Sequence, residues 1–327
     1  MVDFCASMIR VLGGSLLGLA VLSTTLLAES TPLAAVREAL QQGRADDALR
    51  GLSQNNSAEA HNLRCRVYMQ EQRWEKAVKE CELAVHADPG SINHLWLGRA
   101  YGEKAERAGV FSAFSLGKQV RQEFEAATKT DPRNAEAYAD LGEFYISAPG
   151  IVGGGREKAE SVARKLEPLD RVRSLELSAR IAESQKNFTK AESSLKMAIQ
   201  ASRKPADAWM TLASFYRRQQ RWDDMVAAVR SGLRADPEHS SALIYGAGVI
   251  SRTDREPKFV MNLMEFYLAS SHKSEDAPAF DVYVNLANFK QKTGDHTGAL
   301  ECLNKALALA QDYQPALDAK KKLEASR

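Results

Sequence analysis

The chain has 327 residues, a formal net charge of +2 from 44 basic and 42 acidic side chains, and a hydrophobic fraction of 44%. This near balance of charge argues against a nucleic-acid-binding protein, which concentrates basic residues on one face. With only 10 prolines and an excess of Ala, Leu, Glu, Arg and Lys, the composition predicts a folded, mainly helical protein.

The N-terminal segment differs from the rest of the chain. From Val11 to Ala28 it carries no charge, and Arg10 precedes it. A cationic start, an apolar centre and a small residue at the end predict a secretory signal peptide over residues 1–28. The alternative is an N-terminal membrane anchor, because the apolar run is of borderline length for a span. We therefore expect an exported protein, periplasmic or secreted, or one held in the inner membrane and facing the periplasm. Membrane contact is expected only if this segment stays uncleaved.

A sequence pattern recurs through the remaining chain. Asp-Pro ends three helical stretches, at Pro89, Pro132 and Pro237. A second kind of helix combines aromatic, apolar and small residues, as in HLWLGRAY, AYADLGEFY, AWMTLASFY and VYVNLANFK. Such internal periodicity predicts a stack of similar helical units, each of which buries its apolar face only against its neighbours.

This pattern resembles the tetratricopeptide repeat (TPR), a unit of about 34 residues made of two antiparallel helices, A and B. The unit from Ala206 carries Trp209, Leu212, Ala213 and Tyr216 at the expected helix A positions. The resemblance implies an all-α, right-handed α-solenoid of about seven to eight hairpins, in which residues 29–327 form a single domain. Residues 314–326 are predicted to be a C-terminal capping helix.

Two cysteines fall where helices A and B of one unit face each other in this family. They are Cys65 and Cys81. In an oxidising compartment they could form a disulfide. The other interpretation is a pair of small buried thiols, which also suit these positions.

Two units are longer than the repeat, and both extra segments fall in the turn between helices A and B. The first displays Phe111 and Phe114, and the second displays Ile151 and Val152. Turns of neighbouring units lie on the same edge of a solenoid, so we expect these four residues to be neighbours. They either bury one another or form an apolar lip that binds a partner. The two insertions also resemble those of a subgroup of exported bacterial TPR proteins that carry APGIVGGG.

The second insertion, Gly150 to Glu157, has the glycine spacing of a phosphate-binding loop. However, Arg156 and Glu157 stand where that motif needs Lys and Ser or Thr. A helix precedes the loop instead of a strand. The glycines are therefore predicted to form an enlarged turn, and an enzyme with a site here is the least favoured interpretation.

Four arginines face the concave groove that the TPR resemblance implies. They are Arg66, Arg99, Arg180 and Arg217. Arginines there could bind carboxylates of a partner. Acidic residues such as Glu136, Glu143 and Glu183 share the same face, so internal ion pairing is the alternative.

We therefore expect a scaffold that binds a protein or peptide partner through the groove or the lip. The alternative is a structural subunit of an envelope assembly or secretion complex. No catalytic constellation, metal-ligand spacing or cofactor motif is recognisable in the sequence, so we expect neither enzyme activity nor a cofactor.

Overall fold

The computed structural model describes residues 32–253 and 255–325. The predicted signal peptide or anchor, residues 1–28, lies outside these residues. The described residues form seventeen α-helices and one 3-10 turn, with no strand, which confirms the all-α prediction. None of these helices is both long and apolar enough to cross a bilayer.

The helices alternate between the A and B types of the repeat, and each A helix packs on the B helix that follows it. In chain order they are α1 (Pro32–Gln41), α2 (Ala45–Leu52), α3 (Ala58–Gln70), α4 (Trp74–Ala87), α5 (Ser91–Arg107), α6 (Val110–Thr130), α7 (Ala135–Ser147), α8 (Arg156–Leu166), α9 (Arg171–Ser184), α10 (Phe188–Ala201), α11 (Ala206–Arg218), α12 (Trp222–Arg234), α13 (Ala242–Ser251), α14 (Pro257–Ala269), α15 (Ala279–Lys292), α16 (His296–Leu309) and α17 (Gln314–Ala325). The 3-10 turn, Gly150–Val152, lies between α7 and α8.

Small residues let the paired helices approach closely. A Cβ atom on Gly98 of α5 would lie 2.5 Å from the Phe124 ring of α6, and one on Gly232 of α12 would lie 2.9 Å from the Cβ of Trp209 on α11. Both distances are too short for real side chains, so one of the neighbours would have to shift. The alternation of small and large residues therefore follows from the spacing of the helices.

Most A–B turns in the described residues share one geometry. A residue with positive φ stands two positions before the first residue of helix B, where the chain reverses direction. These residues are Gly43, Gln72, Lys186, Gln220 and Gly294. The enlarged turns at 108–109 and 148–155 depart from this geometry, so the insertions replace the turn and leave the helix pairing intact.

The two ends of the helical stack contact each other. One core cluster combines apolar side chains from residues 36–67 with others from residues 179–323. Gly43 lies so close to the start of α15 that an added Cβ would be 2.4 Å from the Ala279 nitrogen. Polar contacts accompany this packing, and they join Gln42 to Ser271, Asp46 to Gln311, Arg66 and Gln70 to Glu275, Gln72 to Tyr313, and Arg73 to Asp312. The solenoid therefore closes into a ring.

Candidate partner-binding surfaces

The glycine loop is a closed turn whose amide groups are already used. The N–H groups of Gly153, Gly154 and Gly155 donate to the carbonyl oxygens of Gly150, Pro149 and Tyr145. Gly153 has a φ of 100°, which favours glycine. A Cβ on Gly154 would lie 1.8 Å from the Ala148 oxygen. In this conformation none of these three amides is available to bind a phosphate. The glycines are therefore explained by the geometry of the turn.

The two insertions do lie side by side, but they expose only part of the predicted lip. Phe111 is 91% exposed and Ile151 is 71% exposed, whereas Phe114 is exposed less, at 38%. Val152 was expected on the same lip but is buried, because it packs against Gly117 of α6. Val152 therefore holds the second insertion onto the first and offers no surface to a partner.

Two of the groove arginines form ion pairs with carboxylates of the same chain. Arg99 donates to Asp140 at 2.6 Å and to Glu136 at 2.7 Å, and these carboxylates raise its pKa against the opposing effect of burial. Arg180 donates to Glu143 at 2.8 Å. Both sets of ion pairs join α-helices of neighbouring units, so these arginines stabilise the stack across its concave face.

Arg66 contributes to the closure of the ring. Its Nε donates to Oε1 of Glu275 at 2.8 Å, across 209 residues of sequence. Its guanidinium also lies 4.9 Å from the centre of the Trp96 ring, and the guanidinium of Arg99 lies 4.7 Å from the same ring centre. Cation–π contacts of this kind add to the ion pairs. Of the four predicted groove arginines, these three have partners inside the chain.

Arg217 differs from the other three. Its Nε is buried with no hydrogen-bond partner in the described residues. Burial lowers the pKa of Arg217, and the charges of Arg252 and Arg218 lower it further. Arg218 pairs with Glu183 at 2.7 Å, but Arg217 and Arg252 have no ion pair with any residue that the structure describes. Arg217 is partly buried with an unpaired Nε and Arg252 is exposed, and two like charges without a counter-charge among the described residues favour an anionic ligand.

The groove beside these arginines is open. A section of about 430 Å³ is lined by Ser214, Tyr245, Gly248 and Arg252, among others. A Cβ on Gly248 would meet no atom within 4 Å. Arg217 comes one turn after Ser214 on α11, so it lies at the same end of the groove. Arg252 and Tyr245 were not predicted from the sequence, because their unit matches the repeat weakly. The packing of α13 on α11 places them beside Arg217.

The opposite end of this groove section is acidic. Burial raises the pKa of Asp207, and the nearby charges of Asp236 and Asp276 raise it further. Burial also raises the pKa of Glu176, whose carboxylate accepts a hydrogen bond from Thr211 at 2.9 Å. Asp207 and Arg217 are ten residues apart on one helix, or about 15 Å. The section is therefore acidic at one end and cationic at the C-terminal end of α11, with Met210, Ile244 and Val249 among its lining residues.

The structure joins Cys65 and Cys81 by a disulfide between α3 and α4. Both side chains are fully buried. Cys302 is a buried free thiol whose pKa is raised by burial. No group of three or more potential metal ligands occurs within residues 32–253 and 255–325.

Comparisons with known proteins agree with this architecture. Sequence profiles of the tetratricopeptide repeat match residues 33–92 and 176–240, and a further profile of this repeat matches residues 280–313. No sequence among curated proteins matches the chain.

Several solved structures resemble this fold at low sequence identity. Yeast Tom70 is 14% identical with a TM-score of 0.54, over 90% of this chain and 58% of Tom70. The chain thus spans little more than half of that protein. A thermophilic TPR protein of Thermus thermophilus is 21% identical with a TM-score of 0.49, over 56% of this chain and 96% of that one. A tetratricopeptide repeat protein from Parabacteroides merdae is 12% identical with a TM-score of 0.44, over 90% and 97%. The repeat profiles and the paired helices together show that the chain is built of tetratricopeptide repeats.

Proposed function

We propose that this protein is an interaction scaffold that binds a carboxylate-bearing segment of a partner protein at Arg217 and Arg252. The main observation behind this proposal is that neither arginine has a counter-charge among the described residues. Other arginines on the same face, such as Arg99 and Arg180, form ion pairs. TPR proteins commonly bind protein partners, which supports a scaffold in general. An extended peptide with a Glu or Asp side chain, or a C-terminal carboxylate, would supply the missing acceptor.

The first test uses a hexaglutamate peptide as the probe and hexaglutamine as its uncharged counterpart. We expect hexaglutamate to bind the wild-type chain, and the double variant Arg217→Gln/Arg252→Gln to bind it at least about tenfold more weakly, since charge-assisted hydrogen bonds are lost. Calorimetric titration at low salt measures both affinities.

The matched control is Arg203→Gln/Arg234→Gln, which removes the same charge from two exposed positions. Because it leaves the groove intact, it should bind hexaglutamate like wild type. Equal weakening in both double variants would mean that only net charge matters, and that result would refute the groove site.

We also propose that the protein is exported. The apolar segment 11–28 supports this, and so does the disulfide between Cys65 and Cys81, because disulfides persist in oxidising compartments. Mass spectrometry of the native protein from the periplasmic or secreted fraction tests it. A mature N-terminus just after Ala28 is the expected result, and a chain found reduced in the cytoplasm would refute it.

A further inference from the structure

A fully buried carboxyl group lies at the junction where the ring closes. Glu71 is the residue that follows α3, and its side chain is 0% exposed. Its Oε1 has no hydrogen-bond partner among the described residues. An ionised carboxylate in such a place is costly, because buried polar atoms need partners to replace water. The neutral form of Glu71 therefore suits this site better than the charged form.

The two residues that follow Glu71 make contacts that close the ring. Gln72 donates to the hydroxyl of Tyr313 at 2.9 Å, and Arg73 donates to Asp312 at 3.2 Å. Both partners belong to the segment between α16 and α17, at the other end of the chain. Glu71 is thus enclosed where the first and last units meet, and separation of these units would expose its carboxyl group to water.

Negative charge exceeds positive charge around this carboxyl group. Arg73 lies 3.3 Å from Glu71, but Arg73 also pairs with Asp312. Burial raises the pKa of Glu71, Arg73 opposes this only in part, and the charges of Asp46 on α2 and of Asp312 raise the pKa further. Tyr68 of α3 is also near, but burial raises its pKa above 10, so it stays uncharged at neutral pH. One guanidinium therefore serves a group of three carboxyls.

We propose that protonation of Glu71 strengthens closure of the ring and that its ionisation weakens closure. Opening would hydrate the carboxyl group and return its pKa to the ordinary value of 4.5. Because the pKa is higher in the closed ring, the closed ring holds the proton more tightly. The extra stability is complete below pH 4.5 and is lost as the pH rises through the pKa of the closed form. This inference is independent of the proposed groove function, because it concerns the junction alone.

Hydrogen exchange of the full chain, measured by mass spectrometry, detects local opening even when the open form is rare. The reporting peptides cover residues 39–48 and 308–317, which lie on the two sides of the junction, and a peptide from α12 is the internal reference. Exchange is followed from about pH 5 to about pH 8. Division by the intrinsic rates of an unstructured chain leaves the protection that the fold provides.

We expect both junction peptides of the wild type to lose protection as the pH rises, while α12 does not. Glu71→Gln is neutral at every pH and should keep most of this protection. The matched control is Glu75→Gln, which removes an exposed carboxylate from α4 and should behave like wild type.

A second variant acts on Glu71 from outside. Asp46→Asn keeps an oxygen that accepts the backbone N–H of Gln311, but it removes a charge that raises the pKa of Glu71. Its junction peptides should therefore lose less protection with pH than those of the wild type.

Three results would each overturn the proposal. Wild-type protection that stays constant or increases with pH would mean that Arg73 is sufficient to stabilise the charged form. A loss in Glu71→Gln as large as in the wild type would assign the pH dependence to another group, such as Asp281, a carboxyl that is also buried and accepts a hydrogen bond from Tyr313. If circular dichroism shows that Glu71→Gln does not fold, Asp46→Asn decides, and a loss equal to that of the wild type would be the contrary result.

Discussion

Three tyrosines tie neighbouring units together through the same kind of hydrogen bond. The hydroxyl of Tyr216 on α11 donates to Glu192 on α10 at 2.9 Å. Equivalent bonds join Tyr101 to Glu82 at 2.7 Å and Tyr145 to Glu125 at 2.8 Å. In each case an A helix reaches the B helix of the preceding unit. The aromatic residue of the repeat thus contributes its ring to the core and its hydroxyl to the stacking of units.

Glu192 should make the free energy of unfolding depend on pH in the acidic range. Burial alone would raise its pKa, but hydrogen bonds from Lys196, Arg221 and Tyr216 lower it from 4.5 to about 2. A folded-state pKa below the unfolded value stabilises the fold above pH 4.5, and this contribution is lost as the pH falls toward 2. We expect Glu192→Gln to lower the free energy of unfolding by about 1 kcal/mol at pH 7 and to weaken its decline in acid. This is less than the pKa shift alone implies, because Lys196 and Arg221 are 57% and 42% exposed and water screens their charges.

Urea denaturation at several pH values measures this effect. Glu301→Gln is the control, because Glu301 is exposed and has no ion pair among the described residues. It should behave like wild type throughout. A parallel loss of stability in wild type and Glu192→Gln between pH 4.5 and 2 would contradict the assigned role of Glu192.

The disulfide should be a large contributor to the stability of its hairpin. It closes a loop with a sequence separation of 16 residues, for which chain entropy predicts a stabilisation of about 3 kcal/mol. Reductant should therefore lower the free energy of unfolding of the wild type by about this amount, and should leave Cys65→Ala/Cys81→Ala unchanged. Thiol titration of the unfolded, unreduced protein checks the bond directly. Two additional reactive thiols there would show that no bond had formed.

Among the elements, the enlarged turn after α7 depends on one glycine more than on the others. A Cβ on Gly154 would collide with the Ala148 backbone oxygen, whereas one on Gly150 would meet nothing within 4 Å. We expect Gly154→Ala to destabilise the protein by about 2 kcal/mol or more and Gly150→Ala to be nearly neutral. Urea denaturation of both variants tests this comparison. Similar stabilities would mean that the turn rearranges without cost.

The helices themselves were predictable because small, large and aromatic residues repeat at fixed spacing. Trp74 and Trp222 stand at equivalent places in the repeat, as the first residues of α4 and α12. Inside the turns no periodicity exists, so nothing in the sequence separates buried Val152 from exposed Ile151. Whether each groove arginine meets a carboxylate depends on side chains of the next unit, and the repeat pattern does not specify these contacts.

The ring is closed by contacts between distant parts of the chain, and the sequence did not predict them. Repeat patterns encode contacts between neighbouring units, since each unit packs only on the next. The contacts that close the ring join residues more than 200 positions apart, such as Arg66 and Glu275. They arise from the accumulated curvature of the whole stack. The groove therefore becomes the inner wall of a ring.

Repulsion at this junction should open the ring. Arg66 and Glu275 are both mostly shielded from water, with side chains 22% and 19% exposed, so their pairing is screened less than that of surface ions. In Glu275→Arg two arginines would face each other, and we expect a larger radius of gyration by small-angle X-ray scattering with unchanged helical content. The charge-swapped double variant Arg66→Glu/Glu275→Arg restores attraction and should recover the wild-type radius. If Glu275→Arg scatters like wild type, the apolar packing around Tyr313 and Phe280 and the remaining polar contacts close the ring without this ion pair. The ion pair would then serve only to orient the side chains of the inner wall.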